Sequence, residues 1–553
     1  MTATMLRKQN RLRTLLFLSA TVIAGVIAAP AQSFFAPGNL VVSRSVYDNN
    51  PNNVQVGQIL PPNCAQTQGG CAGAATNNGV YPMVFNNNLV DGSFGLTSAI
   101  YLDQYTISGS LVNTLNVPNS RAIGTALLGD QLVTSFSSKS ELALNLSTDG
   151  QYLTFMGYVS GIDNIDVSNS NTMQIVDPTN PVGVSYYRAV AQVDVNGNLH
   201  FTQTNAYSGN NGRAAILNNT NGADFFYTAG NAGNGANPQP DGIIIGAGAQ
   251  IMTPLFQSEV SQRTGMPTPV ASFNVTQLGG TQDKIGKDDN FRGLTIFNNV
   301  LYYTKGSGSN GVNTVYWVDP TLTTCNDNNG VGLPPAGGGL PLAPLAYDPS
   351  LLQTKGLDPN NMCVLNGLPT TLAKKATYFP FGIWFGNSNT LYVADEGNGD
   401  NTYSNGLYTT AASSTTAGVQ KWIFDSTSGQ WNLAYVLQAG LQLGIPYTVT
   451  NYPTGNNPAT GLPWSPGTDG LRNLTGVNDS DGTVTIYAIT STVSGSGDQG
   501  ADPNKLVVIT DQLSATSLPP DESFTTFTSA NFAEVLRGVS FTPQAASRLT
   551  ARK

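Results

Sequence analysis

"FGIWFGNSNTLYVAD", residues 381–395, reads as two short apolar runs bridged by a small polar turn, and two more runs follow it, "VQKWIF" (419–424) and "WNLAYVL" (431–437). Each run is strand-length, rich in aromatic and β-branched residues and bounded by Asn, Ser or Gly, which is the pattern of β-strands rather than helices. Four consecutive strands joined by short turns make one antiparallel sheet. Elsewhere "STDGQYLTFMGY" (147–158), "VDVNGNLHFTQ" (193–203) and "NDSDGTVTIYAIT" (478–490) carry Asp-Gly or Asn-Gly between apolar runs, the strongest short-range hairpin signal. Asp194, Asn196 and Asn198 alternate as in a calcium loop, but Gly197 is misplaced and Asn205 stands where the closing Glu belongs, so a hairpin turn is expected there.

A longer unit emerges when the hairpins are aligned on one residue at the head of an apolar strand. The marks are Glu141 ("ELALNL"), Arg213 ("RAAIL"), Arg292 ("RGLTIF"), Phe381 ("FGIWF"), Arg472 ("RNLTGV") and Arg537 ("RGVSF"). They stand about 65–91 residues apart, enough for four strands each. Radially repeated four-stranded sheets are the blades of a β-propeller. The spacing exceeds the roughly 40–50 residues of compact blades, so long loops are expected at about 50–95, 236–280 and 320–378. Six marks predict six blades, with a seventh in 236–280 or 320–378 as the alternative. The last mark supplies only one strand before the chain ends. "GNLVVSRS" (38–45), "AIYLDQYT" (99–106) and "LVNTLNV" (111–117) supply the other three, so the two ends of the chain should close the ring. A β-helix or sandwich is the runner-up fold, disfavoured by the length and irregularity of the repeat.

"FGIWFGNSNTLYVADEGNGD", residues 381–400, resembles the NHL repeat: a G-I strand, a turn, and an L-Y-V-A-D strand ending in a small polar loop. NHL-like propellers and the related lactonase and hydrolase propellers commonly have six blades. The resemblance covers about 20 residues of one blade and implies a fold more than an activity. Calcium-dependent lactonase propellers draw ligands from Glu, Asn and Asp on inner strands. Glu141 matches such a position, but the rest of that ligand set is missing, so no metal or cofactor is carried over.

The N-terminus has Arg7, Lys8, Arg11 and Arg13, then "LLFLSATVIAGVIAA", then Ala29 and Ala31 spaced as a cleavage site. These are the parts of a secretory signal peptide over residues 1–31, with cleavage near Ala31, leaving 32–553 as one domain. The apolar run is shorter than the roughly 20 residues that span a bilayer, so membrane insertion is not expected. Export to the periplasm, cell surface or medium is. Only 10% of the 553 residues are charged and the net charge is −9, which excludes a phosphate-backbone partner. With 40% hydrophobic residues in strand-like runs the chain can bury a core, and disorder is rejected. Four cysteines in an exported chain point to two disulfides, most simply Cys64–Cys71 and Cys325–Cys363. A zinc site lacks C-x-x-C spacing and has only His200 to draw on.

In a propeller the heads of the first strands converge on the central channel. Arg213, Arg292, Arg472 and Arg537 should meet there with Glu141, Asp288, Asp289, Asp469 and Glu534. Guanidiniums crowded on one axis need carboxylates, or an anionic ligand such as a carboxylated sugar. The competing role is structural, each arginine tying its blade to the next, and recurrence at one repeat position favours it. Asp288, Asp289, Asp469 and Glu141, with Asp395 and Glu396, are candidate acids and bases, since two carboxylates about 5–10 Å apart across a channel can run glycoside hydrolysis. Trp464, in "GLPWSPGTDGLRN" (461–473), is the tryptophan expected to be exposed at the mouth as a stacking platform. His200 lies on a strand beside a hairpin turn without a G-x-S-x-G elbow, so a Ser-His-Asp triad is not expected. The sequence thus reads as an exported binding or scaffold module for a polar small molecule or polysaccharide. An extracellular hydrolase, lyase or lactonase, and a protein-interaction propeller, are the alternatives.

Overall fold

In a computed structural model the chain is described over residues 33–60, 74–76, 81, 95–119, 131–172, 184–204, 206–231, 248–254, 272–278, 281–282, 290–308, 311–321, 323–341, 360–458, 460–496 and 500–546. The leader at 1–31, Cys64, Cys71, Asp288 and Asp289 lie outside the described residues.

Six four-stranded antiparallel blades follow one another in the fold. Blade 1 uses β1 (Leu40–Val46), β2 (Thr97–Tyr105) and β3 (Leu111–Asn116). Blade 2 is β4 (Asn145–Leu146), β5 (Leu153–Tyr158), β6 (Arg188–Val193) and β7 (Leu199–Thr204). Blade 3 is β8 (Gly212–Asn218), β9 (Phe225–Gly230), β10 (Ala249–Met252) and β11 (Ser272–Gln277). Blade 4 is β12 (Leu294–Phe297), β13 (Val300–Lys305), β14 (Thr314–Val318) and β15 (Asn360–Leu365). Blade 5 is β16 (Pro380–Asn387), β17 (Thr390–Asp395), β18 (Gly418–Asp425) and β19 (Gln430–Leu437). Blade 6 is β20 (Gly467–Asn478), β21 (Thr483–Val493), β22 (Lys505–Gln512) and β23 (Thr525–Ser529). The final strand β24 (Glu534–Phe541) pairs antiparallel with β1, so the C-terminal strand becomes the innermost strand of blade 1 and the ring closes as the sequence implied.

Two of the stretches expected to be loops contribute strands. The 236–280 stretch supplies β10 and β11, the outer half of blade 3, and 320–378 supplies β15, the outer strand of blade 4. Neither forms a seventh blade among the described residues. Instead β11 and β15 pair in parallel, Asn274 opposite Asn360, joining the outer edges of blades 3 and 4. The Cys325–Cys363 disulfide ties the start of the 320–378 stretch to β15. Its 38-residue separation corresponds to about 4 kcal/mol of chain entropy removed from the unfolded state.

Burial explains the sequence pattern blade by blade. The second strands lie between neighbouring blades and are covered on both faces, so β5 (LTFMGY), β13 (VLYYTK) and β17 (TLYVAD) are buried throughout and are mostly apolar, with polar residues such as Lys305 and Asp395 at their ends. The outermost strands alternate, as in β19 (QWNLAYVL). Aromatics fill the wedge between blades: Phe297 of blade 4 stacks on Phe385 of blade 5 at 4.5 Å, and Tyr302 adds a contact to Phe385 at 4.8 Å. Between blades 5 and 6 an apolar cluster that includes Val419, Leu437, Ile486 and Ile509 is joined by a buried polar network. Asp511 accepts hydrogen bonds from the Tyr392 and Tyr435 hydroxyls and pairs with Lys421 at 2.9 Å, every partner being buried.

The six inner strands pack as a closed ring, β24 on β4, β4 on β8, and so on round to β20 on β24. Their backbones come very close, and the glycine that follows three of the six register marks, Arg292, Phe381 and Arg537, reflects it. A methyl group on Gly382 would lie 2.6 Å from the Arg472 carbonyl oxygen, and one on Gly538 would run into the Leu142 carbonyl oxygen. The Arg-Gly and Phe-Gly pairs are therefore what lets neighbouring inner strands touch. At Asn473 the same step is bridged by its side-chain amide, which donates to the Arg537 carbonyl at 2.7 Å.

Candidate functional site

Each inner strand starts, and each second strand ends, at the same mouth of the channel: Pro380 pairs with Asp395, Leu294 with Tyr303, Gly212 with Gly230. Register residues from different blades therefore meet there with side chains carried just past the second strands.

Their roles diverge. Arg537 is a tie: its Nε donates to the Ser45 hydroxyl at 3.1 Å, and its two Nη groups donate to the Ser138 and Phe136 carbonyls. Glu141 is also satisfied internally, accepting from the Tyr158 hydroxyl, from Thr134 Oγ1 at 2.5 Å and from the Ser135 amide at 3.0 Å. Arg213 donates to the Phe291 carbonyl at 2.7 Å and to Asn290 Oδ1 in the next blade, while its buried Nε has no partner. Arg292 donates to the Ser140 and Ser307 hydroxyls, lies over the Phe381 ring, and stands 3.7 Å from Glu396; its Nε too is unpartnered. Arg472 Nε pairs with the other Glu396 oxygen at 3.3 Å. Glu534, the upstream carboxylate of the last mark, instead pairs with Arg44 at 2.7 Å.

Residues 136–141 form a strap gripped from several blades. Arg537 holds it from blade 1 and Arg292 from blade 4, Asn211 Nδ2 donates to Ser138 Oγ at 3.3 Å, and Gly500 lies against its backbone. The strap carries Lys139, which sequence reasoning missed. Its one signal is a lysine in "SSKSE", two residues ahead of a register mark. Lys139 is half-buried, opposite Glu396 and beside Arg292 and Arg472. Attraction to Glu396 raises its pKa, but burial and the two guanidiniums outweigh this and leave it below the usual lysine value. Burial opposes charge on Glu396, yet Lys139, Arg292 and Arg472 together hold its carboxyl below the ordinary range. Burial, aggravated by Arg292, brings the Arg213 pKa well below its usual value.

Two further carboxylates flank this cluster. Burial pushes Asp395 up to about 7, although the Phe379 and Gly397 amides donate to it, each at 2.9 Å. Burial likewise pushes Asp469 up to about 7, where it accepts from the Gly399 amide at 2.8 Å and leaves Oδ1 buried without a partner. Asp469 lines a cleft of about 300 Å³ beside the mouth, walled by Phe379, Asn398 and the 410–416 segment.

Trp464 is not an exposed platform. It is 5% exposed and belongs to an apolar cluster with Tyr47, Tyr81, Phe136 and Tyr452, residues far apart in sequence. An aromatic in a Pro/Gly-rich loop reads as exposed only while the partners folding over it, distant in sequence, are unknown. No described helix is long and apolar enough to cross a membrane.

The site sits on a six-bladed all-β propeller, which is the class of protein the fold defines. No known protein family matches the chain, and no curated protein matches it. Among solved structures it overlaps the extracellular domains 1–2 of Drosophila semaphorin 1a (10% identity, TM-score 0.28, 75% of this chain and 83% of that one). It also overlaps an ulvan lyase of a polysaccharide lyase family, bound to -[GlcA(1-4)Rha3S]- (11% identity, TM-score 0.27, 81% and 90%). An ACO/RPE65 chimera overlaps at 7% identity and TM-score 0.21, with 81% of this chain spanning 59% of that one. Overlaps this loose transfer neither ligand nor activity.

Proposed function

We propose that this propeller is an exported binding module whose channel mouth takes an acidic polar ligand such as a carboxylated saccharide. The observation that carries the reading is a surplus of positive charge among the described residues at the mouth. Lys139, Arg213, Arg292 and Arg472 surround one carboxylate held firmly ionised, Glu396, since Glu141 is engaged by Thr134, Ser135 and Tyr158 and burial pushes Asp395 and Asp469 up to about 7. Buried like charges are tolerated when matched, and an anionic ligand would complete the match. Lys139 is the most open residue of the four. The leader-like N-terminus and the Cys325–Cys363 disulfide favour action outside the cytoplasm. The six-bladed ring agrees with the NHL-like pattern at 381–400.

The test is titration calorimetry of the mature chain with oligogalacturonate against maltotriose, at low and high salt. Preferential, salt-sensitive binding of the acidic probe, weakened by Lys139→Met at unchanged melting temperature, is the expected result. Equal affinity for both probes, or indifference to Lys139→Met, refutes it. The enzymatic alternative draws on Asp469, whose carboxyl near 7 suits a general acid or base. New reducing ends or unsaturated products in the same samples would establish turnover.

A further inference from the structure

Lys421 and Asp511 meet where blade 5 packs on blade 6, and their surroundings differ from those of an ordinary ion pair. Lys421 lies on β18 and Asp511 on β22, and neither side chain has any exposure to solvent. Lys421 Nζ stands 2.9 Å from Asp511 Oδ2, so the carboxyl carbon is one bond further on. The Tyr435 hydroxyl donates to Asp511 Oδ1 at 2.6 Å and the Tyr392 hydroxyl donates to Oδ2. The same two rings flank the amine, their centroids 5.0 and 5.7 Å from Nζ. A third group completes the cluster. Half-buried Glu522, between β22 and β23, accepts the Gln512 amide on Oε1 at 2.9 Å, while its Oε2 is buried without a donor. Its carboxyl is in hydrogen-bonding contact with that of Asp511, and two carboxyls share such a contact only when one holds a proton. Burial first, and then the Asp511 contact, push Glu522 up to about 7, so it carries that proton at and below neutral pH.

An amine, a carboxyl polarised by two hydroxyls and a proton-carrying acid, held together away from water, are the parts of an amide condensation. We propose that Lys421 and Asp511 condense in the folded chain to an isopeptide bond that joins blade 5 to blade 6 covalently. Proton transfer across their contact turns the ion pair into a neutral amine and a carboxylic acid. The Nζ lone pair then adds to Asp511 Cγ, and the C=O electron pair moves onto Oδ1, where the Tyr435 hydroxyl stabilises it. Glu522 gives its proton to the hydroxyl on Cγ, the C–O bond breaks, and water leaves as the carbonyl reforms. The nitrogen passes its surplus proton to Glu522, which ends as it began. One N–C bond has formed, one C–O bond has broken, and no oxidant or second reactant is consumed. The neutral amide also removes two charges from a dry site, where burying them is costly. The bond is independent of anything the channel mouth binds.

The experiment is mass spectrometry of the mature chain after reduction. The intact chain should be lighter than its sequence by one water. The chain's Asp-Gly pairs can also lose water by cyclising, so peptide mapping decides. Trypsin does not cut after an acylated lysine, so the linked product joins residues 376–472 to 506–537. Glu522→Gln keeps the shape of the side chain and removes the acid, and its fold is checked by circular dichroism. In chains of equal age the linked fraction should fall at least about tenfold, the low end of what a positioned acid or base contributes. Cleavage after Lys421 with a free 506–537 peptide in the wild type overturns the bond, whatever the variant does. An equal linked fraction in a folded Glu522→Gln chain overturns the role given to Glu522.

Discussion

Replacing Glu396 with Gln keeps the shape of the side chain and removes the charge that Arg292, Arg472 and Lys139 share. At an effective dielectric of about 20, the 3.3 Å contact to Arg472 and the 3.7 Å contact to Arg292 are worth about 5 and about 4 kcal/mol of gross attraction. Desolvation of the three groups cancels much of this in the wild type. In the variant the cations stay buried while the attraction is gone, so the loss should approach the ~3–5 kcal/mol seen when one member of a buried pair is removed. That is a large part of the ~5–15 kcal/mol total of a typical domain. Urea titration followed by tryptophan fluorescence reads the change directly, with the m-value as a check that the unfolding transition is the same one. The arrangement also predicts a rescue. A polyanionic probe should raise the midpoint of Glu396→Gln more than that of wild type, because the variant has more positive charge to answer. A loss under about 1 kcal/mol would mean that solvent already screens the cluster, and the argument for a charge-hungry mouth would fall with it.

Acid should stabilise the folded chain. Asp395 and Asp469 are pushed up to about 7 and Asp502 to about 6, in each case by burial. Between about pH 4 and 7 the folded state therefore holds protons that the unfolded state has released, and stability falls as pH rises through that window. Glu396, held below its ordinary value, opposes this only at the acid edge. Urea midpoints should be higher at pH 5 than at pH 8, with Asp469→Asn flattening the slope; an inverted slope would contradict the assigned shifts. Arg537→Ala should cost about 2–4 kcal/mol by leaving the Phe136 and Ser138 carbonyls without donors. It should also loosen the strap, which hydrogen exchange over residues 136–141 would register as lost protection. If protection there is unchanged, Arg537 does not hold the strap.

The propeller was legible because its signals are local. Asn-Gly and Asp-Gly turns, strand-length runs and a repeating head residue all lie within a few residues of one another. The strands proposed at 382–386, 390–395, 419–424 and 431–437 form within Pro380–Asn387, Thr390–Asp395, Gly418–Asp425 and Gln430–Leu437. What stayed hidden depends on distance in sequence. Strands β11 and β15 pair with each other across a blade boundary, and β15 lies far along the chain from its blade neighbour β14, so the irregular stretches that hold them show no local hairpin signal. Arg188 looked like any strand residue, yet it is fully buried and donates to the carbonyls of Ser168, Ser170 and Asn210. Lys139 stands out only once the ring brings Glu396 opposite it.

The four register arginines do not share a single role. Arg537 is spent on the strap and on Ser45, a residue of β1, so its bonds depend on the same strand pairing that joins the two ends of the chain. Arg213 and Arg292 each give part of their donors to neighbours and keep a buried Nε free. Arg472 faces Glu396. Closure of the ring by β24 thus places Arg537, Arg537 fixes residues 136–138, and the strap in turn holds Lys139 over Glu396. A site assembled this way forms only when the last strand docks. The same residues serve as structural ties and as the electrostatic lining of the mouth, so a binding variant designed at Arg292 or Arg472 will register in stability as well.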